Sequence, residues 1–245
     1  MVINKKTVRN LVIVFGIIIF GLTISLLYTF VWRTPTSQEI YAIAQNYVVE
    51  VKAQTGDTLI SCGSAVLINT DGFFVTNAHV ISYTQGGILK EFENYYVRFS
   101  FETDYRSVEL IEYDVVQDLA ILKIQEKPSF SLKPVKIANS TNIKVGDEVY
   151  AVGNGMNHGV GLTHGYVSLP RVNIVYNENT RSVIQCDLII NEGNSGGALL
   201  NDRGDLLGLT TFRIKDSKGV VIYGMAFCLP SELVSDFLDL HSVNY

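Results

Sequence analysis

The sequence predicts an all-β domain behind one N-terminal helix long enough to cross a membrane, and three observations carry that reading. Residues 11–32 hold no charge. From Val48 onward the apolar residues fall in short runs rich in Val, Ile, Phe and Tyr, the residue types that fit a pleated, half-buried surface. Turn clusters such as Asn69-Thr70-Asp71-Gly72 and Asn201-Asp202-Arg203-Gly204 separate those runs. A chain of 245 residues that is 47% hydrophobic and 18% charged holds enough apolar mass for one large domain or two lobes. Five Pro, 20 Gly and no repeat of solenoid period exclude collagen-like, low-complexity and solenoid architectures.

The elements follow in chain order. Residues 11–32 span about 33 Å as a helix, the thickness of a bilayer core. Lys5, Lys6 and Arg9 lie on the N-terminal side, and Tyr28 and Trp32 near the far end suit an interface. The positive-inside tendency then puts residues 1–10 in the cytoplasm, the helix in the cell membrane and the bulk of the chain outside the cytoplasm. The apolar run exceeds a typical signal-peptide core and no A-x-A-like site follows it, so an uncleaved anchor is expected. Residues 33–40 read as a polar linker, with Ser37 capping a short helix through Ala44. The soluble domain is expected over 41–245. Its strands are expected around Val48, Leu59, Ala65, Phe73, Tyr96, Leu119, Glu148, Gly165 and Val183. Segments 63–81 and 196–214 each run from a Gly-rich entry through a strand, a turn ending in Gly and a second strand, which hints at two similar β-lobes. Residues 231–240 carry apolar side chains near helical spacing behind Ser231, which predicts a C-terminal helix with a serine cap.

Charge and cysteine content exclude several functions. Residues 1–32 contribute three cations and no acid, so the remainder carries 16 basic against 24 acidic groups, a formal −8. Nucleic acid is not an expected partner of such a surface. Cys62, Cys186 and Cys228 show neither paired spacing nor an even count, so they read as small buried apolar residues. His158 and His164 have no Cys or carboxylate spacing that would complete a metal site, and no metal or other cofactor is expected.

The chemistry concentrates in three segments. Gly193-Asn194-Ser195-Gly196-Gly197 sets one serine among three glycines, which permits a tight turn and leaves backbone N–H groups free to face an oxyanion. A serine hydroxyl needs a base, and the base needs a carboxylate to orient it. Thr76-Asn77-Ala78-His79-Val80 offers the base and Asp118-Leu119-Ala120-Ile121-Leu122 the acid. Taken together and in this order, GSAVLI, DGFFVTNAHV, DLAILKI and NEGNSGGALLN resemble the trypsin-fold serine proteases, and most of all their HtrA/DegP type. The resemblance covers roughly residues 45–240.

That resemblance implies two six-stranded antiparallel β-barrels with the site in the cleft between them. It implies a catalytic triad of His79, Asp118 and Ser195, with an oxyanion hole at Gly193, Asn194 and Ser195, and protein or peptide substrates. Asn194 stands where digestive members have an acid, so activation by N-terminal cleavage is not expected. HtrA-type enzymes usually carry a PDZ domain after the protease, whereas this sequence ends at Tyr245, so PDZ-based regulation is not carried over. Trimers in the family form through the N-terminal segment of the protease, and Tyr41 and Tyr47 are candidates for a homotrimer contact or, equally, for core aromatics.

Ile189 occupies the position, six before the serine, that carries an acid in enzymes cutting after Lys or Arg. With Thr210, Thr211 and Phe212 on one wall and Met225, Ala226 and Phe227 on the other, a pocket for small or medium aliphatic side chains is expected. The alternative is that these residues are barrel core and the 213–219 loop shapes the pocket. GNSGG also fits the α/β-hydrolase elbow, but that fold needs an acid and then a His after the serine, and only His241 follows. Gly153-Asn154-Gly155 lacks the spacing and the βαβ setting of a dinucleotide loop. The remaining competitor is a trypsin-fold module that binds peptides or senses misfolded chains with a dormant site.

Overall fold

A computed structural model describes residues 4–31, 33–176, 179–215 and 218–245. The chain divides into two compact units, Met1–Pro35 and Thr36–Tyr245. In the first, α1 spans Lys5–Val31, and its stretch Lys5–Leu27 has the length for a membrane span and contains an 18-residue window of mean hydropathy 2.5. The helix thus begins earlier than the uncharged run, taking in the three cations. Asn4 supports this early start, its Oδ1 accepting from the Lys6 amide at 3.0 Å. Within the apolar run Thr23 folds its hydroxyl back onto the carbonyls of Ile19 and Phe20, at 3.0 and 2.9 Å, which satisfies it without water. Trp32 and the side chain of Tyr28, expected at the interface, lie outside the described residues.

The second unit opens with α2 (Ser37–Ala44). Its cap is Thr36 rather than Ser37: the Thr36 hydroxyl accepts from the Glu39 amide while the Glu39 carboxylate accepts from the Thr36 amide, a reciprocal capping box. Ile40 and Ala44 are buried, so the globular unit already includes the end of the segment expected as a linker.

The strands follow as β1 (Val48–Thr55), β2 (Leu59–Leu67) and β3 (Phe73–Thr76), then, after α3 (Ala78–Ile81), β4 (Ser82–Gln85) and β5 (Ile88–Glu91). Next come β6 (Asn94–Phe99), β7 (Arg106–Asp114), β8 (Leu119–Ile124), β9 (Glu148–Gly153) and β10 (Gly161–Tyr176). The last are β11 (Asn179–Cys186), β12 (Ala198–Leu200), β13 (Leu206–Lys215) and β14 (Val221–Pro230), followed by α4 (Ser231–Leu240). Two closed antiparallel barrels result, ordered β1-β2-β3-β8-β7-β6 and β9-β10-β11-β14-β13-β12, with β4 and β5 forming a separate hairpin.

Read in chain order, both barrels have the same circuit: first, second, third, sixth, fifth, fourth. The two-lobe expectation therefore holds, but not by the segments that suggested it. Segment 63–81 runs along the second and third strands of the first barrel, and 196–214 along the fourth and fifth of the second. Their likeness is that of any two strand–turn–strand units.

Buried side chains build a core led by Phe74, Phe99, Ile121, Leu122 and Phe227. Successive residues of β9 alternate between this core and a second cluster, with Tyr150 and Val152 in the first and Val149 and Ala151 in the other, as a strand buried on both faces requires. Cys186 and Cys228 are buried in that second cluster, as expected of small apolar residues, whereas Cys62 is half-exposed. Tyr47 is a core residue whose hydroxyl donates to the Gly204 carbonyl at 2.7 Å, and Tyr41 donates to Val160 at 2.8 Å. Both are used in holding α2 to the second barrel. Helix α4 buries Val234, Phe237 and Leu238. Ser231 is its first residue and not its cap; the hydroxyl instead donates to the Ala138 carbonyl at 2.6 Å.

Candidate active site

Strand pairing brings the base and the acid together. In the antiparallel pair of β3 and β8, Thr76 faces Ala120, so the segment leaving β3 meets the segment entering β8. His79 follows in α3 and Asp118 immediately precedes β8. His79 Nδ1 lies 2.9 Å from Asp118 Oδ2 and 3.0 Å from Oδ1, and the His79 amide donates to Oδ1 at 3.0 Å. Asp118 is buried, with a backbone φ of 61° in the left-handed region, whereas the His79 side chain is 45% exposed. A buried carboxylate thus holds one ring nitrogen and leaves the other side of the imidazole toward the cleft.

The serine arrives from the second barrel. The β12–β13 ladder continues past Ala198: Thr210 N donates to Gly197 O at 2.9 Å and Gly196 N to Thr210 O at 2.8 Å. This sets Ser195 beside Thr211, whose carbonyl accepts the Ser195 hydroxyl at 2.9 Å. Ser195 Oγ makes no hydrogen bond to His79.

The Gly193–Ser195 loop is held by its carbonyls. Glu192 O accepts from Met156 N at 2.6 Å, Gly193 O from the Ser64 hydroxyl at 2.7 Å, Asn194 O from the Thr210 hydroxyl at 2.5 Å, and Ser195 O from Ser64 N at 2.9 Å. In a trans peptide the N–H points opposite the C=O, so the Gly193 amide is directed away from Met156. The amides of Gly193 and Ser195 have no hydrogen-bond partner among the described residues, while that of Asn194 donates to Asn191 O at 3.0 Å. Of the three residues expected to offer donors, Gly193 and Ser195 have free N–H groups and Asn194 does not. Glycine is required at 196, where φ is 79° and a Cβ would overlap the Ser64 carbonyl oxygen and the Thr76 hydroxyl.

Asn77 ties the three segments together, and the sequence reading did not single it out. Fully buried, it donates from Nδ2 to Asp118 O at 2.8 Å and to Thr211 Oγ1 at 3.3 Å, and accepts at Oδ1 from Gly196 N at 2.7 Å. Its position two residues before His79 was the available signal. Ser64 does the equivalent for the serine loop, its hydroxyl also accepting from Asn154 N at 2.8 Å.

Beside these groups lies a shallow cleft of about 190 Å³ lined by His79, Ser195, Ile190, Thr211, Phe212 and Arg213, with Asn191 and Glu192 at the same wall. Thr211 and Phe212 were expected there. Ile189 is instead 54% exposed while Leu188 and Ile190 are buried. Extended backbone alternates its side chains, so the inward residue of this wall is Ile190, one place later than the count back from the serine suggests. Thr210 is buried under the loop on Asn194. Ala226 belongs to the second core cluster and Phe227 backs the cleft by stacking on Phe212 at 5.4 Å; neither lines it, nor does Met225. Arg213, expected to open the 213–219 loop, is still part of β13, paired with Ala226, and reaches across to the wall formed by residues 190–192, its Nη1 donating to Asn191 Oδ1 at 3.0 Å and Ile190 O at 3.3 Å. Residues 216 and 217 of that loop lie outside the described residues. His164 stacks on Tyr150 and contacts Glu148 at 2.7 Å, away from these groups. Among the described residues, no group of three or more His, Cys, Asp and Glu side chains is placed to hold a metal ion.

Two like-ordered barrels, with a His–Asp pair on one and a glycine-flanked serine on the other, define the trypsin fold. Residues 63–209 match the trypsin-like peptidase domain, and the chain belongs to that family, with an HtrA-like character. It is 33% identical over 177 residues to the serine endoprotease DegS of Haemophilus influenzae, covering 72% of this chain and 48% of that protein. It is likewise 33% identical over 178 residues to the periplasmic serine endoprotease DegP of Escherichia coli K12, covering 72% of this chain and 35% of DegP. A solved structure of the HtrA-type protease AlgW with a tripeptide superposes with a TM-score of 0.71 at 29% identity, covering 85% of this chain and 65% of that one. The chain thus spans about half or less of the length of these two curated relatives.

Proposed function

We propose that the protein is a membrane-anchored serine endopeptidase acting outside the cytoplasm on misfolded or specific exported proteins. The observation that carries this reading is the meeting, at the junction of two barrels, of a buried carboxylate on His79 Nδ1, a serine across the same cleft and two unpaired amides beside that serine. In this reading Ser195 Oγ bonds to the scissile carbonyl carbon as His79 Nε2 takes its proton. The carbonyl oxygen becomes an oxyanion facing the amides of Gly193 and Ser195. Collapse breaks the C–N bond, and the amine leaves with the proton from His79. Water, deprotonated by the same imidazole, then attacks the acyl carbon, the C–O bond to Ser195 breaks as His79 returns that proton to Ser195 Oγ, and Asp118 holds His79 in the required tautomer throughout.

For this to run, Ser195 must exchange the Thr211 carbonyl for His79 as its acceptor. Hydrogen bonds of this kind tighten when substrate binds. The same contact favours a second reading, a dormant peptide-binding module, in which the serine stays on Thr211. Ile190 and Phe212 give the otherwise polar cleft an apolar patch, and Arg213 bridging its walls limits its depth, which supports small or medium aliphatic side chains at the cleavage position. The cations Lys5, Lys6 and Arg9 support a cytoplasmic N-terminus. Homotrimer formation is carried over from the family resemblance and is read by light scattering of the detergent-solubilised chain.

The test is hydrolysis of an unfolded protein by the full chain in detergent micelles beside Ser195→Ala. Cleavage by the parent and none by the variant is expected; equal cleavage refutes the protease reading, and no cleavage by either favours the dormant module.

A further inference from the structure

Arg181 belongs to β11 of the second barrel, yet its guanidinium donates to one turn of the first. Nε bonds to the Val116 carbonyl at 3.0 Å, Nη2 to the Val115 carbonyl at 3.0 Å and Nη1 to Asp118 Oδ2 at 3.2 Å. The Arg181 side chain is 7% exposed and that of Asp118 4%. A guanidinium taken this far out of water needs its donors matched, and here three of its bonds fall on residues 115–118. That turn ends in Asp118 at a φ of 61°, a conformation non-glycine residues adopt at a cost and keep only where neighbours hold them in it. The oxygen that receives Nη1 is the same Oδ2 that faces His79 Nδ1 at 2.9 Å.

We infer that Arg181 is a positioning residue of the acid–base pair: a strap from the second barrel that fixes the turn carrying Asp118 and, by its charge, restrains the pull of Asp118 on the proton of His79. The inference rests on the assignment of His79 and Asp118 made above. Within the first barrel the His79 amide and ring already hold the acid. The strap from the second barrel adds a dependence, because the turn that carries Asp118 has its guanidinium bonds only when the barrel that carries Ser195 is docked. Among the described residues, the charged groups facing the pair are Arg181 from β11 and, across the cleft, Glu192 and Arg213, which contact each other at 3.7 Å. Arg181 is the one in hydrogen-bond contact with the carboxylate.

Charge and clamp are separable by substitution. Arg181→Gln removes the cation, so Asp118 supports the imidazolium more strongly and His79 protonates at higher pH. Arg181→Lys keeps the cation and loses the fork that grips the two carbonyls. The experiment uses the full chain in detergent micelles, with kcat/KM against pH on a fluorogenic peptide and, independently, the titration of His79 followed by ¹⁵N NMR of histidine-labelled protein assigned with His79→Gln.

Expected for Arg181→Gln is an acid limb and an NMR midpoint about half to one pH unit higher, with kcat lowered about 10–100-fold and KM within twofold. Expected for Arg181→Lys is a partial loss of kcat with both midpoints held within about a quarter of a unit. If thermal unfolding shows that Arg181→Gln does not fold, Arg181→Met, which keeps the apolar stem, carries the same expected shift. An unchanged NMR midpoint in the uncharged variant overturns the inference. A parent chain that cleaves no peptide refutes the protease reading instead, and the NMR midpoint still decides the role of Arg181.

Discussion

Replacing Asn77 by Ala tests whether one buried amide holds the site together. The side chain supplies three hydrogen bonds, to Asp118 O, Thr211 Oγ1 and Gly196 N, all buried. They are not equal losses. Gly196 N keeps a second acceptor in Thr210 O at 2.8 Å, and the contact to Thr211 is long at 3.3 Å, so the group left stranded is the Asp118 carbonyl. An unsatisfied buried group costs about 1–3 kcal/mol, and the two weaker losses add about 1 kcal/mol, for a total of about 2–4 kcal/mol. In a chain of this size that lowers the melting temperature by roughly 4–16 °C. Loss of the tie between the His79, Asp118 and Ser195 segments also misplaces reacting groups, expected to slow active-site acylation by about 10–100-fold. The assays are thermal unfolding of the full chain in detergent and the rate of labelling by a fluorophosphonate probe. A melting temperature within 1 °C of the parent and a labelling rate within twofold would refute the reasoning.

Arg213→Ala removes the side chain that bridges the cleft, and a peptide-library profile is expected to broaden from small aliphatic residues toward Leu, Met and Phe; a profile unchanged in residue size would show that Arg213 does not set the depth. Glu232 is held by the Ser140 hydroxyl and by Arg171, which against the opposing effect of burial keep its carboxyl below the usual range. A lowered folded-state value gives stability that is present above the unfolded-state value and lost as pH falls through the folded one. Glu232→Gln is therefore expected to destabilise the chain at pH 7 by at most about 1 kcal/mol, the pair being partly screened. The difference should vanish in denaturant melts between about pH 5 and pH 3. The intact chain is expected to resist carbonate extraction from membranes, and protease added to spheroplasts is expected to reach the domain; a mature N-terminus near residue 34 in the secreted fraction would point to a cleaved leader instead.

Much of the fold was legible because its signals are local. The uncharged run, the β-rich segments and the amphipathic C-terminal stretch each lie within one element, although the runs at Leu59 and Ala65 join into the single strand β2 and strands β4, β5, β7 and β14 were not expected. Capping was misread at α2 and α4 for one reason. A serine near a helix start suits several partners, and only the fold reveals that Thr36 has Glu39 to answer it while Ser231 has the Ala138 carbonyl. Motif order brought three chemically suited residues to notice, and the chain does bring His79 to Asp118. The pocket was less legible because a count along the chain carries no facing: Ile189 points to solvent and Ile190 inward. Arg181 left no trace at all, being 63 positions from the acid it contacts, although the strand around Val183 on which it lies was expected.

The central claim is that Ser195 is a nucleophile activated by His79 and oriented through Asp118, and a fluorophosphonate adduct located by mass spectrometry on the full chain tests it most directly. The expected result is a single adduct on Ser195, absent in Ser195→Ala. Adduct formation should be slowed in the other variants, in parallel with losses in kcat of about 10⁶ for His79→Ala and about 10⁴ for Asp118→Asn, the magnitudes known for proteases using this constellation. No adduct at Ser195, or an adduct that forms at the parent rate when His79 is replaced, would contradict the account.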